Sequence, residues 1–392
     1  MTTLGTWPQL AHLGGPVLNR EAMRVALVHD WLVTYRGGEK VLEAICEMYP
    51  RAELYTLLHR PGSMPEAIEN RPIHTSFLQR IPGIYDSYRH WLPLFPAAIQ
   101  SFDLSGADLV ISSSHCAAKG IRKPKGARHL SYLHAPMRYM WDRFEDYFGF
   151  GRASLPIRLA ALALRPALQS WDRRTAKAVD RFVANSDYIA NKIQRIYGRP
   201  AAVIPPPVEL QRFAAAPEEG RGLSDYFLWV GAFAPYKRLD IALDAFRELP
   251  FPLWVAGSGQ EEKRIRRTLP PNVRLLGQVS DEALVDLYRR ARALIFTAEE
   301  DFGLAPVEAQ AAGRPVIALA KGGALETVTP RTGVFFSRQT PEDLIAAVRR
   351  FEQWVKAFSP LDARSNAQRF TKASFQGGLQ AQVEELMDFR AA

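Results

Sequence analysis

The chain has 392 residues, 47% of them hydrophobic and 23% charged, with a formal net charge of +9. That length suits two domains, and the apolar content is too high for a disordered chain. The two cysteines, Cys46 and Cys116, stand in no metal-like or C-x-x-C spacing. They exclude a zinc module and a disulfide framework and fit a reducing compartment.

The basic excess has no cluster with interleaved aromatics that would mark a nucleic-acid module. It fits an anionic membrane surface, a phosphorylated donor and acceptor, or ordinary solubility charge. No segment reaches the ~18–20 apolar residues of a membrane span. Residues 1–22 have neither a long apolar core nor an early basic cluster, so they read as an N-terminal extension and not a signal peptide.

A first domain is expected over 23–207. Arg24 to His29 is a strand, and Gly37-Gly38 opens a helix over 39–49 with Val41, Leu42, Ile45 and Met48 on one face. A strand, a glycine turn and a helix start form an anion-binding arrangement at a sheet edge. His29-Asp30-Trp31 either lines a pocket or caps the strand. The aromatic stretch 73–102 interleaves Arg80, Arg89 and His90, and reads as core packing or as an acceptor mouth. Strands follow over 107–112 and 128–134, the latter delivering His134 to its C-terminal end. Residues 155–177 form a helix with basic flanks, kinked at Pro166, that either covers the first domain or lies on a bilayer. Ser186 is an N-cap for a helix over 187–197. Prolines and glycines place a boundary within 205–224.

The second domain, expected over 208–364, alternates strand and helix from Tyr226 in a doubly wound α/β pattern. Its densest stretch is 293–323. An apolar strand, Ala293 to Thr297, leads into the acidic loop Glu299-Glu300-Asp301 and then Phe302-Gly303. Pro306 fits the first position of a helix, which puts Glu308 in its first turn and leaves the N–H groups of Leu304 and Ala305 free for an anion. Two carboxylates accept hydrogen bonds from sugar hydroxyls and bare amides hold phosphate, a combination that suits a nucleotide sugar.

The run from Glu300 to Glu308, with Gly313-Arg314-Pro315 after it, resembles the Glu–seven–Glu signature of retaining glycosyltransferases of family four. The resemblance covers nearly the whole chain after residue 24. It implies the GT-B fold: two Rossmann-like domains facing across a cleft, with a C-terminal helical tail, 365–392, crossing back onto the first. It further implies that Glu308 holds the donor ribose and Glu300 the transferred sugar, with Phe302 and Gly303 shaping that pocket. Lys237 and Arg238 would stabilise the departing diphosphate, Ala232 standing where the family commonly has an arginine. Gly37, Gly38 and Gly257 would approach the phosphates and nucleotide. Asp281 would meet the base or cap its helix, and His134 would position a hydroxyl or the acceptor.

The family likeness leans to a mannosyltransferase using GDP-mannose in surface polysaccharide synthesis, with a UDP-sugar donor or a non-catalytic saccharide-binding protein as alternatives. A saccharide or a polyprenyl-diphosphate-linked saccharide is the expected acceptor. The expected place is the cytoplasm or the inner face of the cytoplasmic membrane. No D-x-D motif stands at a sheet edge, so no metal is expected.

Overall fold

A computed structural model describes residues 23–150, 153–213 and 225–388. The expected N-terminal extension, 1–22, and the second half of the expected boundary stretch lie outside them. Two sheets organise the chain. The first comprises β1 (Val25–His29), β2 (Glu53–Thr56), β3 (Ile73–Thr75), β4 (Leu109–Ser114), β5 (Arg128–Leu133), β6 (Arg181–Ala184) and β7 (Ala201–Val203). Their order is β3-β2-β1-β4-β5-β6-β7. The second comprises β8 (Phe227–Val230), β9 (Leu253–Ala256), β10 (Val273–Gly277), β11 (Leu294–Phe296), β12 (Val316–Leu319) and β13 (Gly333–Phe336), in the order β10-β9-β8-β11-β12-β13. All pairings are parallel.

Parallel strands are covered by helices on both faces, so they read as continuous apolar runs. β4 and β12 are buried at every position. In each sheet the strand order reverses beside the first strand, between β1 and β4 and between β8 and β11. Such switch points leave a crevice at the C-terminal strand ends, where ligands bind. The expected pair of doubly wound α/β domains is therefore what the chain forms.

Some boundaries differ from expectation. β4 runs two residues further, so Ser113 and Ser114 belong to the strand. β13 carried no signal strong enough to foresee: it is four residues long and begins with glycine. The helix after the acidic loop begins at Leu304, two residues before Pro306, which puts Glu308 beyond the first turn. Proline is tolerated throughout a first turn, because none of those N–H groups has a helical acceptor. The helix Leu155–Ala176 continues through Pro166. A fully buried ion pair, Lys119 Nζ to Asp172 Oδ1 at 2.9 Å, anchors its second half. Trp141 and Tyr197 donate to the other Asp172 oxygen.

The last helix, Lys372–Asp388, crosses back to the first domain. Phe375, Leu379 and Val383 are buried with Leu27, Val41, Ile45 and Tyr132. Lys372 pairs with Glu47 at 2.8 Å and Glu385 with Arg181 at 2.9 Å.

Candidate active site

The second domain's wall of the cleft is built by the loops after β8 and β11. Gly303, at φ 86°, turns the acidic loop into the helix Leu304–Ala311. That left-handed conformation is one glycine adopts without steric cost. Leu304 and Ala305 are the first two helical residues, so their N–H groups lack helical acceptors, and Pro306 removes the third donor.

Glu300 forms an ion pair with Lys237. Lys237 is held from behind: Thr297 Oγ1 donates to its carbonyl at 2.8 Å and accepts from the Trp229 indole at 3.1 Å. Burial opposes the Lys237 charge, yet the Glu300 carboxylate beside it keeps its pKa above the ordinary lysine value. Glu308 accepts a 2.9 Å hydrogen bond from Tyr288 Oη. Burial pushes the Tyr288 hydroxyl well above the usual range, so it stays a neutral donor.

The first domain's wall is different in kind. Asp30, fully buried at the end of β1, accepts from the N–H groups of His115, Cys116, Ala117 and Ala118 at 2.5–2.9 Å. It thus caps the loop after β4, while Trp31 turns into the cleft. Ser113 Oγ lies 3.2 Å from His29 Nδ1 and 2.9 Å from His134 Nε2. The one hydroxyl proton can go to only one ring, so at least one of the two ring nitrogens donates to Ser113. Glu39 stands 3.6 Å behind His29. Burial, and then the neighbouring His115 and His29, lower the His134 pKa well below the ordinary value. At neutral pH His134 is an uncharged hydrogen-bonding group.

Between the walls lies a cavity of about 470 Å³. It is lined by His134, Gly37 and Gly38 on one side and by Lys237, Glu300, Phe302, Gly303, Leu304, Ala305 and Glu308 on the other. The walls approach closely at Gly37, where a Cβ would stand 2.7 Å from Leu304 Cδ1. The volume falls in the roughly 300–1,000 Å³ range of ligand sites.

Three other expected residues lie elsewhere. Arg238 pairs with Asp240 at 3.0 Å, and Asp281 with Arg212 at 2.8 Å; neither lines the cavity. Gly257 lies behind its wall, where a Cβ would stand 1.9 Å from the Gly231 carbonyl oxygen.

The acidic loop also ties the two domains together, which its sequence did not signal. Arg138 reaches Asp301 at 2.9 Å, and Arg143 donates to the Glu299 carbonyl at 2.5 Å. Ser186 donates to the Asp301 carbonyl at 2.6 Å, and Tyr188 to the Glu299 carboxylate at 2.6 Å. Arg138 and Arg143 line the cavity as well. These are cations from the opposite domain that the spacing around Lys237 could not reveal.

Two parallel α/β domains facing each other across such a cleft give the chain the GT-B fold. Each half of the chain matches a glycosyltransferase family. Residues 35–212 match the family described as Glycosyltransferase Family 4, and residues 215–358 match Glycosyl transferases group 1.

Over 228 residues the chain is 34% identical to D-inositol 3-phosphate glycosyltransferase 2 of Catenulispora acidiphila, covering 49% of this chain and 53% of that protein. Over 171 residues it is 30% identical to a glycosyltransferase of Methanocaldococcus jannaschii, covering 42% and 47%. The chain thus spans about half the length of the curated relatives it matches.

Among solved structures, HepE of Anabaena in complex with UDP superposes with a TM-score of 0.69 at 18% identity, covering 93% of this chain and 100% of that one. Sucrose-phosphate synthase of Thermosynechococcus elongatus does so with 0.69 at 18% identity, covering 94% and 100%.

Proposed function

We propose that the chain is a retaining glycosyltransferase that moves a hexose from a nucleoside-diphosphate sugar onto a saccharide or a polyprenyl-diphosphate-linked saccharide. The observation that carries this reading is the convergence of Glu300, Lys237, Glu308 and the Leu304–Ala305 amides in one cavity, opposite His134.

In this reading Glu308, steadied by Tyr288, accepts from the ribose hydroxyls, and the amides of Leu304 and Ala305 meet the diphosphate. Lys237 shifts part of its charge from Glu300 to the leaving phosphate, and Arg138 supplies a second cation from the other domain. Arg138 thereby takes the role left open at Ala232. Glu300 then accepts from hydroxyls of the transferred sugar. Neutral His134 hydrogen-bonds the sugar or acceptor, with Ser113 fixing the ring. The acceptor oxygen attacks the anomeric carbon on the face from which the diphosphate leaves, the C–O bond to phosphate breaks, and the acceptor proton passes to the leaving phosphate oxygen.

Side-chain cations carry the charge in this scheme, so we infer that no divalent metal is needed. Among the described residues no group of three or more His, Cys, Asp or Glu side chains is placed to hold one.

The mannosyl reading, with GDP-mannose as donor, rests on the family resemblance. A UDP-sugar is the second reading, and two observations favour it. HepE of Anabaena binds UDP and glucose. Asp281, the residue expected to read guanine, is paired with Arg212 outside the cavity. Among the described residues no helix is long and apolar enough to cross a membrane. Peripheral contact with the inner face of the cytoplasmic membrane is part of the proposed reading.

Calorimetry of GDP-mannose and UDP-glucose in the presence of EDTA tests the donor. One of them binds at least tenfold more tightly than the other, and the anomeric configuration of the product shows retention. Binding of neither, or binding only after magnesium is restored, would sink the reading.

A further inference from the structure

A second pocket opens off the cleft within the first domain, and nothing in the proposed mechanism uses it. Its volume is about 320 Å³, and it shares Trp31, Arg89, Tyr139 and Tyr147 with the main cavity. Beyond that junction its walls are Leu92, Phe95, Phe148 and Ile157. Its described lining contains no acidic side chain, while Arg89 and His90 stand at its rim. Arg89 lies against the Tyr88 ring, 5.1 Å from its centre, and meets the Tyr139 hydroxyl, but pairs with no carboxylate among the described residues. The cation at the junction is thus available to an anion.

The pocket's other end is Ile157, on the first turn of the helix Leu155–Ala176. At 3.6 residues per turn Leu164 follows Ile157 on the same face of the helix, while Leu155, Leu159 and Leu162 lie on the opposite, outward face; all four are exposed, Leu155 at 63% and Leu159 at 56%. The helix's second half buries Leu168 and Trp171 normally, so the exposure is confined to the end that meets the pocket. The route from the sugar-transfer cavity therefore runs past Arg89, through an apolar pocket, to a helix end whose apolar side chains are exposed.

We propose that this side pocket holds the first segment of the hydrocarbon tail of a lipid-linked acceptor, with Arg89 at the junction meeting the phosphate that joins tail to saccharide. The proposal rests on the glycosyl-transfer reading of the main cavity, and it deepens that reading by choosing a lipid-linked acceptor over a free saccharide. Cation, apolar pocket and exposed apolar helix end follow one another in the order in which phosphate, tail and lipid phase occur in such a molecule.

Dodecyl phosphate, kept below its micelle concentration, and butyl phosphate are suitable probes, with binding followed by calorimetry on the full chain. Each methylene that enters an apolar pocket strengthens binding about fourfold. Dodecyl phosphate then binds at least a hundredfold more tightly than butyl phosphate. Ile157→Glu alters a side chain 46% exposed, which leaves the core intact. It weakens dodecyl phosphate at least tenfold while leaving butyl phosphate and nucleotide binding unchanged. Arg89→Ala weakens both alkyl phosphates by a similar factor. Leu162→Glu, on the outward face of the same helix, leaves dodecyl phosphate binding as it was.

Equal binding of the two alkyl phosphates overturns the proposal. So does an Ile157→Glu variant that binds dodecyl phosphate like the parent, or a loss confined to Leu162→Glu. Failure of the underlying reading has a separate signature: no nucleoside diphosphate binds the parent, whatever the alkyl phosphates do.

Discussion

The two walls of the cleft solve different problems with different residues. The second domain's wall is charged and local: Glu300, Phe302, Gly303, the two amides and Glu308 come from one strand–loop–helix unit, with Lys237 joining from the neighbouring strand end. The first domain's wall sets imidazole rings beside arginines and is assembled from afar. His29, Ser113, His115 and His134 meet across three strand ends, and the arginines arrive from the segments around 89 and 138. All eight histidines of the chain fall within its first 134 residues, and none lies in the second domain. The contrast teaches that a proposed nucleotide-sugar donor would meet paired acids and a lysine on one wall, and uncharged His115 and His134 rings beside arginines on the other.

The sharpest way to break that comparison is Glu300→Gln. On the charged wall a preorganised carboxylate acts where charge and hydroxyls reorganise in the transition state, and losing one such group costs on the order of 10²–10³ in rate. The substitution keeps the side chain's shape beside buried Lys237, so folding and nucleoside-diphosphate binding persist while kcat falls by that factor. The reading gives way if turnover is unchanged. It gives way equally if nucleotide binding is lost together with the thermal midpoint, because Glu300 would then be a structural partner of Lys237.

The local wall was legible in the sequence for the same reason that it is compact. The Glu–seven–Glu spacing, the glycine before the helix and the proline within its first turn lie in a few successive residues, so their chemistry follows from neighbours alone. The opposite wall was legible only at its anchor, His134, whose position at the end of β5 follows from the strand pattern. Its partner Ser113 lies 21 residues away, and the Arg138–Asp301 tie spans 163. Separations of that size are set by tertiary packing and leave no mark in local spacing. Asp281 and Arg238 show the converse. Each has the right residue type beside the expected loop, but Arg212 and Asp240 already hold them.

The buried histidines of the first domain make their own prediction through pH. Burial pushes His129 down to about 3, and burial with the neighbouring His29 and Arg138 does the same to His115. His134 lies well below its ordinary value for a similar reason. A folded pKa below the unfolded value near 6.5 means that the unfolded chain takes up protons first as pH falls. Stability from these rings is therefore complete above about 6.5 and declines below it, by about 1.4 kcal/mol per pH unit for each ring. For His115 and His129 the decline continues towards about 3. Between pH 6.5 and 5, ordinary carboxylates stay largely ionised in both states, so the histidines dominate. Hydrogen exchange over that range should show protection falling in the first domain, while the histidine-free second domain holds. His129→Gln, which keeps an amide near the Ser112 hydroxyl, should remove one ring's share of the slope. A uniform loss across both domains would mean that the walls do not differ in this respect.

The smallest expected effect probes how the charged wall is held. Tyr288 is buried, and its hydroxyl donates to one oxygen of Glu308 at 2.9 Å. Tyr288→Phe removes that donor and little else, because the ring packs against Phe213 at 5.8 Å with or without the hydroxyl. Such a hydrogen bond is worth about 0.5–1.5 kcal/mol, or somewhat more to a charged acceptor. With the ribose present, Glu308 keeps that ligand but loses the restraint on its rotamer. The donor KM should rise about three- to tenfold with kcat unchanged, the pattern of lost uniform binding. A fall in kcat at constant KM would instead place Glu308 in the chemistry of transfer. The division of labour between the two glutamates, one for the nucleoside and one for the sugar, would then have to be redrawn.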